Sequence, residues 1–360
     1  MQKIGMQSIA KAISMAFLAG VIQSAAHAAG TGDDKVEIYG YGHQGYLQAT
    51  DNTYLGAGTN GTWDYNALAL VFAKKIDDKT RVWTQIHTTS NEIRLDWVFV
   101  DFQVNNNLVT RVGQIKQPFG LYNEIRDIKF LHLSTLTQAL YSEAAEIAHE
   151  AYRGAAVVYD HDFGGGSLSW DAYLGEVAEN NLLVTTKNRG LAGGRVTYKT
   201  PVDGLIFMAS AYNNKLDDTA NLKQGAMKVW MLSADYTNNN VSLKSEYVNK
   251  DNNLEGKISK SYYAQAGYTF AEKWTPFVRY DYITTDQTQR TDPSYYQKTT
   301  SLGVGYKINH SVKLIIENNW NNGYALPVAS TLPEMPAPEV AAGAGKTDWN
   351  IFAASVSFIF

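Results

Sequence analysis

Alternation is the feature that most constrains this chain. Blocks of about ten residues carry an apolar side chain at every second position. Phe352, Ala354, Val356, Phe358 and Phe360 form one apolar face near the C-terminus. Val312, Leu314 and Ile316 form another, with Lys313, Glu317 and Asn319 opposite. Leu302, Val304, Tyr306 and Ile308 alternate with Ser301, Gly303 and Gly305. Tyr262, Ala264, Ala266, Tyr268 and Phe270 alternate with Tyr263, Gln265, Gly267 and Thr269. Period two is strand geometry. Beyond the first thirty residues no apolar run approaches the ~20 residues of a membrane-crossing helix. Yet the chain holds 23 tyrosines and 8 tryptophans, with abundant Gly, Asn and Thr. A membrane barrel reconciles these facts, because only alternate side chains meet lipid and the others face a polar interior.

The connections agree. Ile76–Lys79, Asn105–Asn107, Gly164–Gly166, Pro201–Gly204, Asn238–Asn240, Ala271–Lys273 and Ile308–Ser311 are short turns. Their residues accept positive φ or bond their own backbone, so they close tight hairpins. Between them lie longer polar segments: Thr50–Gly61, Gln117–Tyr152, Ala178–Asn188, Asn213–Gly225, Lys250–Lys257, Asp286–Tyr296 and Asn321–Lys346. Only the connection near Ser90–Glu92 is short on this side. Short turns alternating with long loops predict an all-β transmembrane antiparallel barrel, turns toward the periplasm and loops outside. The count is about sixteen strands, wide enough for an aqueous channel. The last loop holds Pro327, Pro333, Pro336 and Pro338, and is expected to be mobile and free of regular sheet.

Ahead of this pattern, Lys3 and Lys11 flank a short apolar run from Ala12 to Ile22, and Ala26-His27-Ala28 follows. Charge, apolar run and small-x-small site in that order predict a signal peptide over 1–28 and a barrel over 29–360. The net charge of −4 becomes more negative without the leader's two lysines. That argues against nucleic acid as a partner, which needs a basic face. There is no cysteine, so the fold must hold without disulfides.

Two segments resemble known families. The terminal Phe358-Ile359-Phe360 is similar to the C-terminal signal that outer-membrane barrels present to the barrel-assembly machinery. Arg111-Val112-Gly113-Gln114-Ile115-Lys116-Gln117-Pro118-Phe119-Gly120-Leu121-Tyr122 resembles a segment of Gram-negative porins related to the phosphate-selective O and P group. There a strand with a Gly-x-x-Lys-x-Pro-Phe-Gly core leads into the third loop. The resemblance implies that this loop folds into the barrel, as in general porins, and that the chain forms a homotrimer. The sequence departs from phosphate-selective members in lacking a lysine-rich third loop. Glu124, Asp127, Glu143, Glu146 and Glu150 stand there against Arg126 and Lys129.

By parity, the interior face carries Arg81, Gln85, His87, Arg94, Asp96, Arg111, Arg195, Lys199, Lys244, Glu246, Arg279, Asp281, Lys313 and Glu317. Lys116 sits at odds with the parity of Arg111. Arg81, Arg94 and Arg111 fall on three consecutive strands. One expectation is that they line a pore wall opposite Glu124 and Asp127; the other is that they are ordinary interior charges paired with nearby acids. Trp97, Trp170, Trp230, Tyr236, Tyr268, Trp274, Tyr280, Tyr282 and Tyr306 are girdle candidates. No catalytic, metal or cofactor site is expected. His149-Glu150 lacks the second histidine of a zinc-protease motif, Gly164-Gly165-Gly166-Ser167 lacks the lysine of a phosphate loop, and no Gly-x-Ser-x-Gly occurs. His43, His87, His132 and His161 have no metal-ligand spacing. The expected role is a passive channel for small hydrophilic solutes and ions, set in outer-membrane lipid and lipopolysaccharide. The alternatives are a channel selective for anions such as phosphate, an outer-membrane hydrolase and an adhesin.

Overall fold

The computed structural model describes residues 27–29, 35–90, 92–178, 186–332 and 335–360. All but the last two residues of the expected leader lie outside them. Sixteen long strands follow one another: β1 (Val36–Ala49), β2 (Thr62–Lys75), β3 (Thr80–Thr88), β4 (Ile93–Gln103), β5 (Leu108–Lys116), β6 (Ala151–Phe163), β7 (Gly166–Val177) and β8 (Thr186–Lys199). Then come β9 (Leu205–Asp218), β10 (Lys223–Asn238), β11 (Val241–Asn252), β12 (Lys257–Tyr268), β13 (Trp274–Thr284), β14 (Tyr296–Lys307), β15 (Val312–Gly323) and β16 (Asp348–Ile359). Each pairs antiparallel with its neighbour in sequence, and β16 pairs with β1 from Ile359↔Tyr41 to Ile351↔Ala49. The result is a closed sixteen-strand barrel without free edges, the form a strand protein needs in hydrocarbon. His27–Ala29 forms a short strand antiparallel to the start of β1.

The seam is extended by mutual bonds between Gly40 and Phe360: the Phe360 amide donates to the Gly40 carbonyl at 2.9 Å, and the reverse bond is 2.8 Å. A Cβ on Gly40 would lie 2.1 Å from the Phe360 ring, so only glycine leaves that ring its place. Phe358 stacks beside Phe360 at 6.3 Å. Phe352, Val356 and Phe360 are exposed in the isolated chain, on the outer face that the alternation assigned to lipid.

The turn end is built as its residues require. Gly164 and Gly165 have φ of 52° and 85°, the positive pair of a type I′ hairpin between Phe163 and Gly166. At the opposite end two connections are shorter than expected. β9 and β10 stay paired to Asp218↔Lys223, which leaves 219–222 as the turn. β11 and β12 pair to Asn252↔Lys257, which leaves 253–256. Polar composition made these strand ends look like loops; hydrogen bonding to a neighbour carries the ladder past the apolar belt. The Ala178–Asn188 connection falls partly outside the described residues. The proline-rich segment also differs from expectation. It contains a helical turn (Ala325–Ala329) and a small hairpin of Thr331–Leu332 with Met335–Pro338. It is tied down as well. Asn52 and Lys346 exchange two 2.8 Å hydrogen bonds, and the Tyr324 amide donates to the Pro293 carbonyl.

Trp97 is a correction to the girdle. A register shift between Gln85 and Ile86 lets β4 place both Asp96 and Trp97 inward, and Trp97 is only 2% exposed. A bulge inserts a residue and resets parity, which alternation alone does not reveal. Trp170, Trp230, Tyr268, Trp274 and Tyr280 are exposed on the outside, with Tyr236, Tyr282 and Tyr306 half-buried beside their neighbours.

Candidate functional site: a lumen crossed by the third loop

Residues 117–150 leave the end of β5 and fold into the barrel. Four short 3-10 turns shape this segment, with no strand pairing along it. Its backbone polar groups therefore need partners from the wall, and the inward-facing residues supply them. The Gly120 amide donates to Ser210 on β9, and the Leu121 amide to Glu246 on β11 at 2.8 Å. The Tyr141 hydroxyl donates to the same carboxylate at 2.7 Å. Glu317 on β15 accepts from the amides of Thr135 (2.9 Å) and Leu136 (3.1 Å). Asp281 on β13 accepts from Ala139. Thr135 and Ser355 on β16 share a hydroxyl contact of 2.8 Å. Tyr65 on β2 donates to the Thr135 carbonyl, and Tyr212 on β9 to the Ile147 carbonyl. The loop is thus bonded to walls on opposite sides of the barrel.

The space between is packed. Phe119, Ile128, Leu140 and Ile147 of the loop belong to one buried cluster with inward residues such as Val71, Trp83, Phe99, Met231 and Ile351 of the wall. The interior was expected to be wet. Instead Gln117, Asn123, His132, Ser134, Thr135 and Gln138 are fully buried. Side-chain parity marks which residues face inward, but not whether a loop comes to cover them.

The root of the loop is held by charges. Lys116, at the end of β5, lies against three carboxylates: Asp127, bonded directly, Glu150 at 3.3 Å and Asp96 at 3.6 Å. Arg94 reaches Glu150 at 2.9 Å, Glu92 at 3.0 Å and Asp96 at 3.7 Å, and Arg126 reaches Glu150 at 3.2 Å. Asp96, Asp127 and Glu150 lie close enough together to suggest a metal cluster, but three cations already occupy the space around them. Burial would raise the Asp127 carboxyl, yet Lys116 and Arg126 hold it well below the usual carboxylate range. The Glu150 carboxyl is likewise held down: burial pushes up, and Arg126, Lys116 and Arg94 outweigh it. Burial drives His149 down to about 3, helped by Lys250 and Arg126, so its ring is neutral.

The remaining sequence candidates are placed as follows. Arg81 pairs with Glu37, and Lys244 with Asp235, in both cases toward the turn end. Arg111 faces Asp101 directly across β4–β5 at 2.8 Å. Arg195 faces Asp171 across β7–β8 at 3.0 Å and reaches Glu124 of the loop at 2.6 Å. Lys199 lies near the turn end of β8, in register with Ser167. Arg279 pairs with Asp281 at 2.6 Å and donates to the Leu136 carbonyl. Lys313 donates to the carbonyls of Phe130 and His132. Among the described residues none of Arg81, Arg94 and Arg111 forms an ion pair with Glu124 or Asp127. Glu124 meets Arg195, Asp127 meets Lys116, and each of the three arginines has a nearer acid. Glu37, Asp101, Asp171 and Asp235 are the partners that sequence reading missed; parity marks them as inward, but only the strand register tells which cation each one faces.

The profile of the family described as "Type IX secretion system membrane protein PorP/SprF" matches residues 210–331, less than half of the chain. No curated protein matches. Solved outer-membrane barrels do. OmpT, an outer membrane protein of Vibrio cholerae, superposes with a TM-score of 0.63 at 14% identity, covering 93% of this chain and 100% of that one. The outer membrane channel DcaP of Acinetobacter baumannii gives 0.59 at 11% identity, covering 91% and 97%. An anion-selective porin from Comamonas acidovorans gives 0.57 at 13%, covering 90% and 99%. At these identities the likeness is one of fold: a porin-like outer-membrane barrel.

Proposed function

We propose that the chain is an outer-membrane channel for small hydrophilic solutes, with residues 117–150 as its constriction. The observation that carries this is the third loop, bonded by named side chains to opposite walls of a closed sixteen-strand barrel. A barrel of that size would otherwise leave a wide aqueous lumen. Filling it with a tethered loop converts a general hole into a narrow route whose width depends on the tethers. The ions along that route are spent on one another or on hydrogen bonds to the loop, which favours neutral or dipolar solutes over phosphate. The signal-peptide pattern of 1–28 and the aromatic ending at Phe358 and Phe360 support export and insertion through the barrel-assembly machinery. A homotrimer in lipopolysaccharide-bearing membrane is the assembly this reading takes from its porin resemblance.

Liposome swelling tests the reading. Proteoliposomes of the refolded chain should swell in small neutral solutes at rates that fall steeply with solute size. No swelling above empty liposomes, from a barrel shown to be folded, would reject it.

A second reading has one observation in its favour. The match to a secretion-system membrane protein covers residues 210–331, and the same packed lumen suits a barrel that anchors an assembly. That reading predicts no solute flux at all, even after the tethers of the third loop are cut.

A further inference from the structure

The outer face of the barrel carries a pattern that a channel has no use for. On β10, β12 and β14 a lysine stands eight positions before a tyrosine of the turn-end girdle: Lys228 before Tyr236, Lys260 before Tyr268 and Lys298 before Tyr306. β9 runs the other way and repeats the spacing, with Lys215 eight positions after Phe207. An even separation puts both members of a pair on one face of the strand. That face is the outer one: Lys215, Lys228 and Lys298 are exposed and Lys260 is half-buried. The outward side chains between each pair are uncharged, as with Trp230, Leu232 and Ala234 on β10. Eight residues of strand span about 26 Å, or about 20 Å along the membrane normal at a tilt of about 40°. That is close to the height of the apolar band of a membrane barrel. The lysines therefore stand at its loop-side edge, in the headgroup layer of the outer leaflet.

The strand register sets them level. Lys215 lies opposite Ala226, and Lys228 is two positions nearer the turn end. The line from Lys228 crosses Asp251 to Ile258, and Lys260 is again two positions on. The line from Lys260 crosses Thr284 to Tyr296, and Lys298 is two positions on. The girdle steps in the same way: the line from Tyr236 crosses Leu243 to Ala266, two positions short of Tyr268. A constant stagger is what strand tilt in a closed barrel requires, so lysines and girdle form two parallel rows. Lys228, Lys260 and Lys298, on alternate strands, follow one another at about 12 Å. Among the described residues none of the four lysines forms an ion pair. Asp251 is opposite Lys228 in the ladder without pairing with it, and Lys298 lies over the Tyr296 ring at 5.3 Å. Across the barrel, the loop-side halves of β2–β5 turn Leu68, Ile86, Leu95 and Val112 outward, and no described lysine or arginine joins them.

A lysine at the edge of the apolar band extends its ammonium toward water and lipid phosphate. One such lysine needs no partner. Four at one level, unpaired and confined to one side, make a row of positive charge that a polyanionic headgroup can bridge. A lipid with one phosphate meets one lysine. A headgroup with two phosphates meets two, and its second contact is intramolecular. We propose that the outer face of β9–β14 binds lipopolysaccharide through its lipid A phosphates, with Lys228, Lys260 and Lys298 as the central contacts. The proposal rests on the outer-membrane half of the channel reading and not on conduction.

The test is native mass spectrometry of the full refolded chain, titrated in detergent with diphosphoryl lipid A and, separately, with phosphatidylglycerol. Lipid A should bind about tenfold more tightly than phosphatidylglycerol. Lys228→Gln/Lys260→Gln/Lys298→Gln should weaken lipid A binding by about tenfold or more. If that variant does not fold, as judged by heat-modifiable gel mobility, Lys228→Gln/Lys298→Gln should show the same direction of loss. The turn-end variant Lys79→Gln/Lys273→Gln/Lys307→Gln removes the same charge from exposed positions and should bind as the parent does. No loss in the first variant, an equal loss in the turn-end variant, or phosphatidylglycerol binding as tightly as lipid A would overturn the proposal. Swelling of liposomes made from the same preparation separates the two claims. Flux without lipid A binding removes the lipid face and leaves the channel; lipid A binding without flux leaves the face and removes the channel.

Discussion

Lys116 is the residue on which the third loop turns. Its ammonium is nearly buried and faces Asp127, Glu150 and Asp96. An isolated surface pair contributes well under ~1 kcal/mol. Removing one member of a buried network costs more, about 3–5 kcal/mol, because charges are left uncompensated in a poor dielectric. Lys116→Met keeps most of the volume and removes the charge. We predict that it loosens the loop, so that single-channel recordings show larger and noisier currents than the parent; an unchanged conductance from a folded variant would remove Lys116 from the account. Glu246 works differently. It is a buried acceptor for the Leu121 amide and for Tyr141, Ser233 and Tyr263, which makes it a clamp of hydrogen bonds rather than of opposite charges. Sequence reading placed Lys116 as a site residue while its parity disagreed with Arg111. The disagreement has a physical cause: β5 ends at Lys116, and a side chain at the last strand position is free to turn inward.

At the scale of elements, the third loop is a strap with tethers on several strands. Two predictions belong here. The first uses the absence of native cysteine. Thr135 and Ser355 hold their hydroxyls 2.8 Å apart between loop and β16. The pair Thr135→Cys/Ser355→Cys should oxidise to a crosslink in the folded barrel, detectable by gel mobility without reductant. Locked and reduced forms should differ in current noise, the locked form being the quieter; failure to crosslink would place the loop elsewhere. The second concerns pH. Asp127 and Glu150 are held below their ordinary values in the folded chain, so the stability they give the loop root is fully present above the unfolded carboxylate value. It is lost only as pH falls through the depressed folded values. Current through the channel should stay constant from neutral pH down to about pH 4, the ordinary carboxylate range, and rise only below it. A transition near pH 6 would contradict this, and His149 is already neutral there. The strands were legible in the sequence because lipid enforces period two on their outer faces. The ends of β9 to β12 were not, because above the apolar belt a paired strand and a polar loop have the same composition. Nor was the bulge that turns Trp97 inward, since it changes register without changing residue type.

For the whole molecule, closure and plugging are separate achievements. Closure depends on the β1–β16 seam, where Phe360 lies over Gly40. Gly40→Val should displace that ring and lower the yield of heat-modifiable barrel, while a valine at the exposed Ala220 in the 219–222 turn should leave the yield unchanged. Plugging depends on the loop, and here the sequence suggested a direction without its extent. The resemblance around Lys116 and Phe119 implied a loop folded inward, but contacts from one wall to the other arise from tertiary partners hundreds of residues apart, such as Thr135 with Ser355. The central claim is therefore that a wide barrel has been narrowed by its own third loop. Single-channel conductance in a planar bilayer tests it most directly, comparing the full chain with one in which residues 126–145 are replaced by a short Gly-Ser link. The account predicts small currents from the full chain and a severalfold larger, stable conductance from the shortened one. Equal conductance from the two folded barrels, or no current from either, would contradict it.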